Sequence, residues 1–301
     1  MGVAVFGNVT LDVICRTVDE VPRYESITFD HVTISPGGCG SNVAVGLGYL
    51  NVETYLICRV GDDKAAKLLR ETWKRFNINQ RFVEVAKNKS TAVSIGLVDH
   101  AAQPRFIHTP GANATLTSEN LNIQNIESLN VKILHIAGFF VLPGLLDGKF
   151  PEKLSQARKA GITTTLDVVY SPRYWKPEHL WPCFPDLDIF FCNQKEAFQL
   201  TGETQTEAAI QKFRQFGANT IVIKKGADGC YLDSPGFVGL IKAPRVKAID
   251  TTGAGDAFAA GFIAVVSKGE DYIKACELGN QVGARMVTTS GAIGAWSEKQ
   301  Q

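Results

Sequence analysis

Residues 250–262 read DTTGAGDAFAAGF: Gly253, Ala254 and Gly255, then at once Asp256, then a run of small and aromatic residues. A helix start presents unpaired backbone N–H groups and the positive end of the helix dipole, and glycines let the chain turn sharply and approach a ligand closely. Such a loop has the makings of a phosphate-sized anion site. A carboxylate beside it would repel the anion. That repulsion makes sense where Asp256 takes the proton of a hydroxyl that attacks phosphorus while the helix start holds the transferring group. If the hydroxyl loses its proton late, an ordinary carboxylate suffices. Taken alone, the loop leaves a structural reading open, because acids favour the first turn of a helix anyway.

Two other phosphate-handling designs are missing. The stretch GLLDGKF (144–150) has three residues between its glycines and ends in Phe150, so it is not a Walker loop. The first apolar run is followed by FGNVTLD, whose single glycine falls short of the dinucleotide fingerprint that a dehydrogenase, a third option, needs.

The elements that must position Asp256 follow from the pattern of the chain. Apolar runs at 3–14, 54–61, 132–138, 162–169, 188–193 and 219–226 read as strands, and helical patterns lie between most of them. This alternation predicts an α/β fold with a mostly parallel sheet and helices on both faces. GADGCYLDS (226–234) reads as a turn into an antiparallel edge strand, and from Thr252 onward the chain is mostly helical. Two segments, 13–35 and 91–109, are β-rich with no helix between their runs and predict a small separate sheet.

With 301 residues, 45% hydrophobic and 20% charged, the chain is long enough for one large packed domain. A net charge of +1 and the lack of a basic stripe exclude nucleic acid as an expected partner. No apolar run reaches the length of a membrane span, and the N-terminus has no signal-peptide pattern, so cytoplasm is expected. The seven cysteines are scattered with no CxxC pair, which predicts free thiols. The five histidines form no ligand pattern for a structural zinc.

Four motifs together give the chain a family likeness over nearly its whole length. These are SPGGCGSNVAVGLGYLN (35–51), NQKEAFQLTG (193–202), VIKKGADGCYL (222–232) and DTTGAGDAFAAGF (250–262). In kind and order they resemble those of the ribokinase-like, or PfkB, carbohydrate kinases. The resemblance implies a single domain over 1–301: a ribokinase-like three-layer sandwich with a mostly parallel central sheet and a small β-sheet lid from about 13–35 and 91–109. It implies ATP-dependent transfer of a phosphoryl group to a sugar hydroxyl. Asp256 would be the base, and Gly253, Ala254, Gly255 and Asp256 the anion hole. Asp12, Gly37, Gly38 and Asn42 would bind the acceptor's hydroxyls, which carboxylates and amides are suited to read.

On the nucleotide side the resemblance points to Asn193, Lys224, Gly226, Gly229 and Asn280, with Asn193 and Glu196 organising Mg2+ through water. Relatives often carry Thr where this chain has Lys224; a lysine there contacts a phosphate or faces solvent. Asn193 and Glu196 are spaced to share one face of a helix start; the same spacing suits a capping box, which is the better reading of the pair alone and which the other motifs outweigh. Asp250 and Thr252 match a site where many relatives bind a monovalent cation, so a K+ requirement is an expectation. A homodimer through the lid is expected as well. Arg105, Phe106 and His108 are candidate lid contacts to the acceptor, and Arg16 and Arg105 are the basic residues available to an acceptor that bears phosphate. Phe106, Phe139 and Phe140 are candidate aromatics for a nucleoside base, or core. Two readings stay beside the sugar kinase: a nucleoside kinase on the same fold, and a catalytically silent sugar- or nucleotide-sensing protein.

Overall fold

The structure, a computed structural model, describes residues 2–101 and 104–297. In chain order the strands are β1 (Gly2–Gly7), β2 (Thr10–Arg16), β3 (His31–Gly37), β4 (Thr54–Val60), β5 (Asn79–Val85), β6 (Val93–Val98), β7 (Pro104–Thr109), β8 (Val131–Ala137), β9 (Thr163–Asp167), β10 (Ile189–Asn193), β11 (Thr220–Lys224), β12 (Cys230–Ser234) and β13 (Phe237–Ile241). The α-helices are α1 (Cys39–Tyr49), α2 (Lys64–Arg75), α3 (Ile123–Glu127), α4 (Phe150–Lys159), α5 (Gln194–Thr201), α6 (Thr206–Gln215), α7 (Ala254–Val266), α8 (Tyr272–Met286) and α9 (Gly294–Ser297). Residues 102 and 103, within the second β-rich segment, lie outside the described residues.

Among the described residues the strands form two sheets: nine strands in the order β13-β12-β11-β10-β9-β8-β1-β4-β5, and four in the order β3-β2-β6-β7. From β11 to β5 the large sheet is parallel, and β12 and β13 close its other end antiparallel. Period-2 alternation sends Val3 and Val5 of β1 into one core layer, with α1, α2 and α7, and sends Ala4 and Phe6 into the other, with α4, α5 and α6. A third apolar cluster packs α7 and α8 on the β10–β12 end through Phe191, Phe258 and Phe262. These are the three layers the alternation predicts.

Three details differ from the pattern. The run 3–14 divides, because Asn8 and Val9 carry the chain from the large sheet into the small one. β5 is an added strand; NQRFVEV is half polar, as suits an edge strand. β12 is not the edge, since a two-residue turn returns the chain as β13.

The parallel strands deliver a row of residues to one rim. Asp167, Asn193 and Lys224 are the last residues of β9, β10 and β11, and Asn8 and Gly138 follow β1 and β8 directly. In open parallel sheets this carboxyl rim is where ligands bind.

Candidate active site

Gly253 caps α7 in a left-handed conformation, φ +76°. The first regular helical bond runs from the Ala257 N–H to the Gly253 carbonyl at 2.8 Å. The Ala254 N–H reaches the Thr251 carbonyl at 3.3 Å, whereas the N–H groups of Gly253, Gly255 and Asp256 have no partner among the described residues. The start of α7 thus has free donors, as an anion site requires.

Asp256 lies in the first turn and accepts a hydrogen bond from Asn42 Nδ2 at 2.7 Å, across 214 residues of sequence. Burial and the nearby Asp167 carboxylate push its pKa up to about 6, against the pull of Asn42, Lys224 and the Cys39 thiol. The sequence reading needed only an ordinary carboxylate; the fold raises this one. Asn42 sits in α1, is 5% exposed, and its Oδ1 is buried with no hydrogen-bond partner. An unpaired buried acceptor next to the Asp256 carboxylate suits a ligand hydroxyl.

Asp12 stands on β2 with its Oδ1 accepting from Thr10 Oγ1 at 2.6 Å. Burial raises its pKa, Thr10 opposes this, and the Asp256 charge adds to it. Gly37, at the end of β3, faces Asp12 on the adjacent β2: a Cβ there would lie 2.0 Å from Asp12 Oδ2. Gly38 precedes α1 at φ +83°, where a Cβ would meet the Asn8 carbonyl at 2.7 Å. Glycine is therefore needed at Gly37 for close approach and at Gly38 for backbone conformation. The structure brings Asp12, Gly37, Gly38, Asn42 and Asp256 into one cleft between the smaller sheet and the rim.

Three residues of this cleft were not singled out from the sequence: Asn8, Asp167 and Gly138. Asn8 accepts from the Cys39 N–H at 3.2 Å and so ties the end of β1 to α1. Asp167 accepts from the Gly138 N–H at 2.5 Å. Burial raises the Asp167 pKa, opposed by Lys224 and Gly138. An acid closing an apolar strand, as in ITTTLD, was the available signal, because strand ends line the rim.

Asn193 and Glu196 form the reciprocal cap of α5, each side chain bonding the other's backbone N–H at 2.8 Å. The capping geometry is thus realised, and it also fixes a buried carboxylate at the rim. Burial raises the Glu196 pKa, opposed by Lys224 and the Asn193 N–H. Lys224 is half-buried, with its ammonium against α7: a Cβ at Gly255 would lie 3.2 Å from Nζ. Burial works against its charge, and Asp167, Glu196 and Asp256 together outweigh that and hold the ammonium protonated. The ammonium therefore turns toward the start of α7. Gly226 and Gly229 form the turn from β11 to β12, and Asn280 of α8 donates to the Ile241 carbonyl at 2.9 Å.

Asp250 bonds the N–H groups of Thr252 at 2.9 Å and Gly291 at 3.0 Å. Burial opposes its charge, yet the Gly291 amide, Thr252 and the Arg16 guanidinium hold its pKa below the usual range. Arg16, on the small sheet, lies 3.9 Å from Asp250. Arg105 is turned away from the cleft and donates to the Val18 and Asp19 carbonyls at 2.6 and 2.7 Å. Phe106 packs over Gly96 on the face shared with Asp12, and His108 is on that face too, paired through Ser94. Phe139 and Phe140 are fully buried core residues, which leaves Phe106 as the aromatic of the three that is exposed.

The chain belongs to the pfkB family of carbohydrate kinases, whose match covers residues 2–299. It is similar to an uncharacterized sugar kinase of Archaeoglobus fulgidus, at 27% identity over 82% of this chain and 96% of that protein. It is also similar to an ATP-dependent ribose-1-phosphate kinase of Halopiger xanaduensis, at 28% identity over 96% of this chain and 93% of that one. Among solved structures, a ribokinase of Thermotoga maritima superposes with a TM-score of 0.82 at 26% identity, covering 96% of this chain and 94% of the other. The fold is thus ribokinase-like and the protein is a carbohydrate kinase. No helix among the described residues is long and apolar enough to cross a membrane.

Proposed function

We propose that the protein transfers the γ-phosphoryl group of ATP to a hydroxyl of a small sugar. Asp256 is the base and the N–H groups at the start of α7 are the anion hole. The observation that carries this reading is the 2.7 Å bond from Asn42 to Asp256, which fixes a half-buried carboxylate at a helix start whose donors are free. The acceptor lies against Asp12, Gly37, Gly38 and Asn42, with one hydroxyl donating to the orphaned Asn42 Oδ1. The acceptor oxygen bonds phosphorus as the bond to ADP breaks, and its proton passes to Asp256. ATP-dependence is supported by the similarity to the ATP-dependent ribose-1-phosphate kinase of Halopiger xanaduensis.

The nucleotide lies on the side of Lys224, Gly226, Gly229 and Asn280. Among the described residues no three His, Cys, Asp or Glu side chains are placed to cage a metal directly. The buried Glu196, with Asn193, suits Mg2+ held on the phosphates through water, as that ion prefers. Magnesium would supply charge neutralisation at the phosphates. Asp250, Thr252 and the loop at Gly291 would hold a monovalent cation. A reaction that draws on ATP, in a chain whose seven cysteines are free, suits the cytoplasm.

The four-stranded sheet acts as a lid that excludes water from the transfer, with Asp12, Ser94 and His108 on its inner face. On its outer face Ile34, Val13, Ile95 and Ile107 are paired in register across all four strands, and Ile34 and Ile107 are 57% and 61% exposed. We assign this face to a second copy of the chain. The Ile34→Asp/Ile107→Asp double variant is expected to halve the mass measured by light scattering. A wild-type monomer, or a variant dimer, would refute the assignment.

The function is tested by ADP release from MgATP against a panel of sugars, sugar phosphates, polyols and nucleosides. One strong acceptor confirms the kinase and names its class; ATP binding with silence across the panel favours the sensing alternative. For the active acceptor, kcat/KM is expected to fall on the acid side with an apparent pKa near 6, since the free enzyme must ionise Asp256. A profile flat from pH 5 to 8 would contradict that assignment.

A further inference from the structure

We propose that Lys224 is a catalytic residue whose ammonium contacts the transferring γ-phosphoryl group at the start of α7. The proposal rests on the kinase reading above and gives that reading a charge it did not assign. Lys224 ends β11, directly beside Asn193 at the end of β10. Its Nζ stands against Gly255, in the first turn of α7, where the free N–H groups point.

A cation at the positive end of a helix is unfavourable on its own. Two features explain why one is there. Asp167, Glu196 and Asp256 surround it and stabilise its charge. None of them forms a direct ion pair with it, however, and it makes no hydrogen bond to any described side chain. The ammonium is charged, held near carboxylates and left with its three donors unspent. The neighbouring Lys225 differs: it turns the other way, and its Nζ reaches Thr206 Oγ1 at 3.4 Å.

An anion at the α7 start resolves this arrangement. The γ-phosphoryl oxygens would accept from the free amides and from Lys224 together. As the acceptor oxygen bonds phosphorus and the bond to ADP breaks, Lys224 keeps its proton and the acceptor's proton goes to Asp256. The buried Asp167 and Glu196 and the half-buried Asp256 otherwise repel a polyanionic nucleotide, and Lys224 is a described cation placed to offset them at the reacting phosphorus. Its distance from Gly255 assigns it to the γ end and not to the ADP phosphates.

The test compares wild type, Lys224→Met and Lys224→Arg. Turnover is measured with the best acceptor of the panel, and calorimetry gives Kd for MgADP and for the magnesium complex of the non-hydrolysable analogue AMPPNP. Lys224→Met is expected to lose about a hundredfold to a thousandfold in kcat, as for removal of one preorganised donor at a developing charge. It should weaken AMPPNP about tenfold, leave MgADP within about threefold, and recover part of its turnover as Arg. Equal loss of ADP and AMPPNP affinity would place Lys224 on the ADP phosphates and overturn the proposal. So would a kcat within about threefold of wild type. If Lys224→Met does not fold, Asp167→Asn/Lys224→Met, which removes a carboxylate along with the cation, is compared with Asp167→Asn in the same way. A wild-type enzyme silent with every acceptor defeats the kinase reading instead; the ADP and AMPPNP comparison still decides the Lys224 contact.

Discussion

Replacing Asp256 with Asn is expected to lower turnover about a thousandfold while raising the melting temperature at about pH 7.5. The loss follows from removing the proposed base, since a general base contributes about a hundredfold to ten-thousandfold in such reactions. The gain follows from the position of the carboxylate. Burial and Asp167 raise its folded-state pKa to about 6, above the value near 3.8 of an exposed aspartate. The folded protein therefore binds more protons than the unfolded chain between those values, so stability is lost as pH rises from about 4 to about 6 and the full cost of the ionised group is present above about 6. The uncharged amide of the variant would keep the bond to Asn42 and shed that cost. The difference in melting temperature should be largest above about pH 6 and shrink as pH falls toward about 4. MgADP affinity should change little, because the substitution leaves the α7 amides in place. A variant with more than about a tenth of wild-type turnover would remove Asp256 from the role of base. A variant that melts lower than wild type at the same pH would show that the ionised carboxylate does not cost the fold stability.

The glycine-and-acid stretch was legible because its residues answer to backbone geometry. Gly38 and Gly253 hold positive φ angles that other residues resist, so their requirement is written locally. The three layers were legible for a similar reason: alternating burial along β1 reads directly from its residues. Asp167 and Asn8 were not legible as site residues. Each is a single polar residue at a strand end, and its role depends on which strands adjoin it. β9 lies beside β8, so Asp167 meets Gly138, a contact between residues 29 apart in sequence. The bond from Asn42 to Asp256 is longer-ranged still and leaves no local pattern. Asn193 and Glu196 show a different limit. Their spacing suited both a cap and a nucleotide-side pair, and the cap geometry is compatible with both. Lys224 had two open orientations in the sequence; packing against α7 selected one.

Gly253→Ala and Gly255→Ala are expected to fail in opposite ways, although the two glycines are separated by a single residue. At Gly253 the backbone is left-handed, and a Cβ would sit 2.5 Å from the Ala292 carbonyl oxygen and 2.7 Å from its Cα. The left-handed conformation alone costs about 1–2 kcal/mol for alanine, and the clash with backbone adds to it. The start of α7 must shift away from the 291–293 loop, so both the melting temperature and turnover should fall, turnover by about a hundredfold for a displacement of about 1 Å. At Gly255 the backbone is helical, and the nearest atoms to a Cβ belong to the flexible Lys224 side chain, Nζ at 3.2 Å and Cε at 3.9 Å. Alanine is a better helix former than glycine, so stability should be unchanged or higher. The added methyl would occupy the space proposed for the phosphoryl oxygens beside the free amides, and turnover should still fall about a hundredfold or more. Paired melting and ADP-release measurements separate the two cases. Full activity in Gly255→Ala would mean that the phosphoryl group does not lie at the start of α7, and the anion hole would have to be sought elsewhere along the rim. Loss of activity with intact folding would show that the second glycine is kept clear for the ligand and not for the chain.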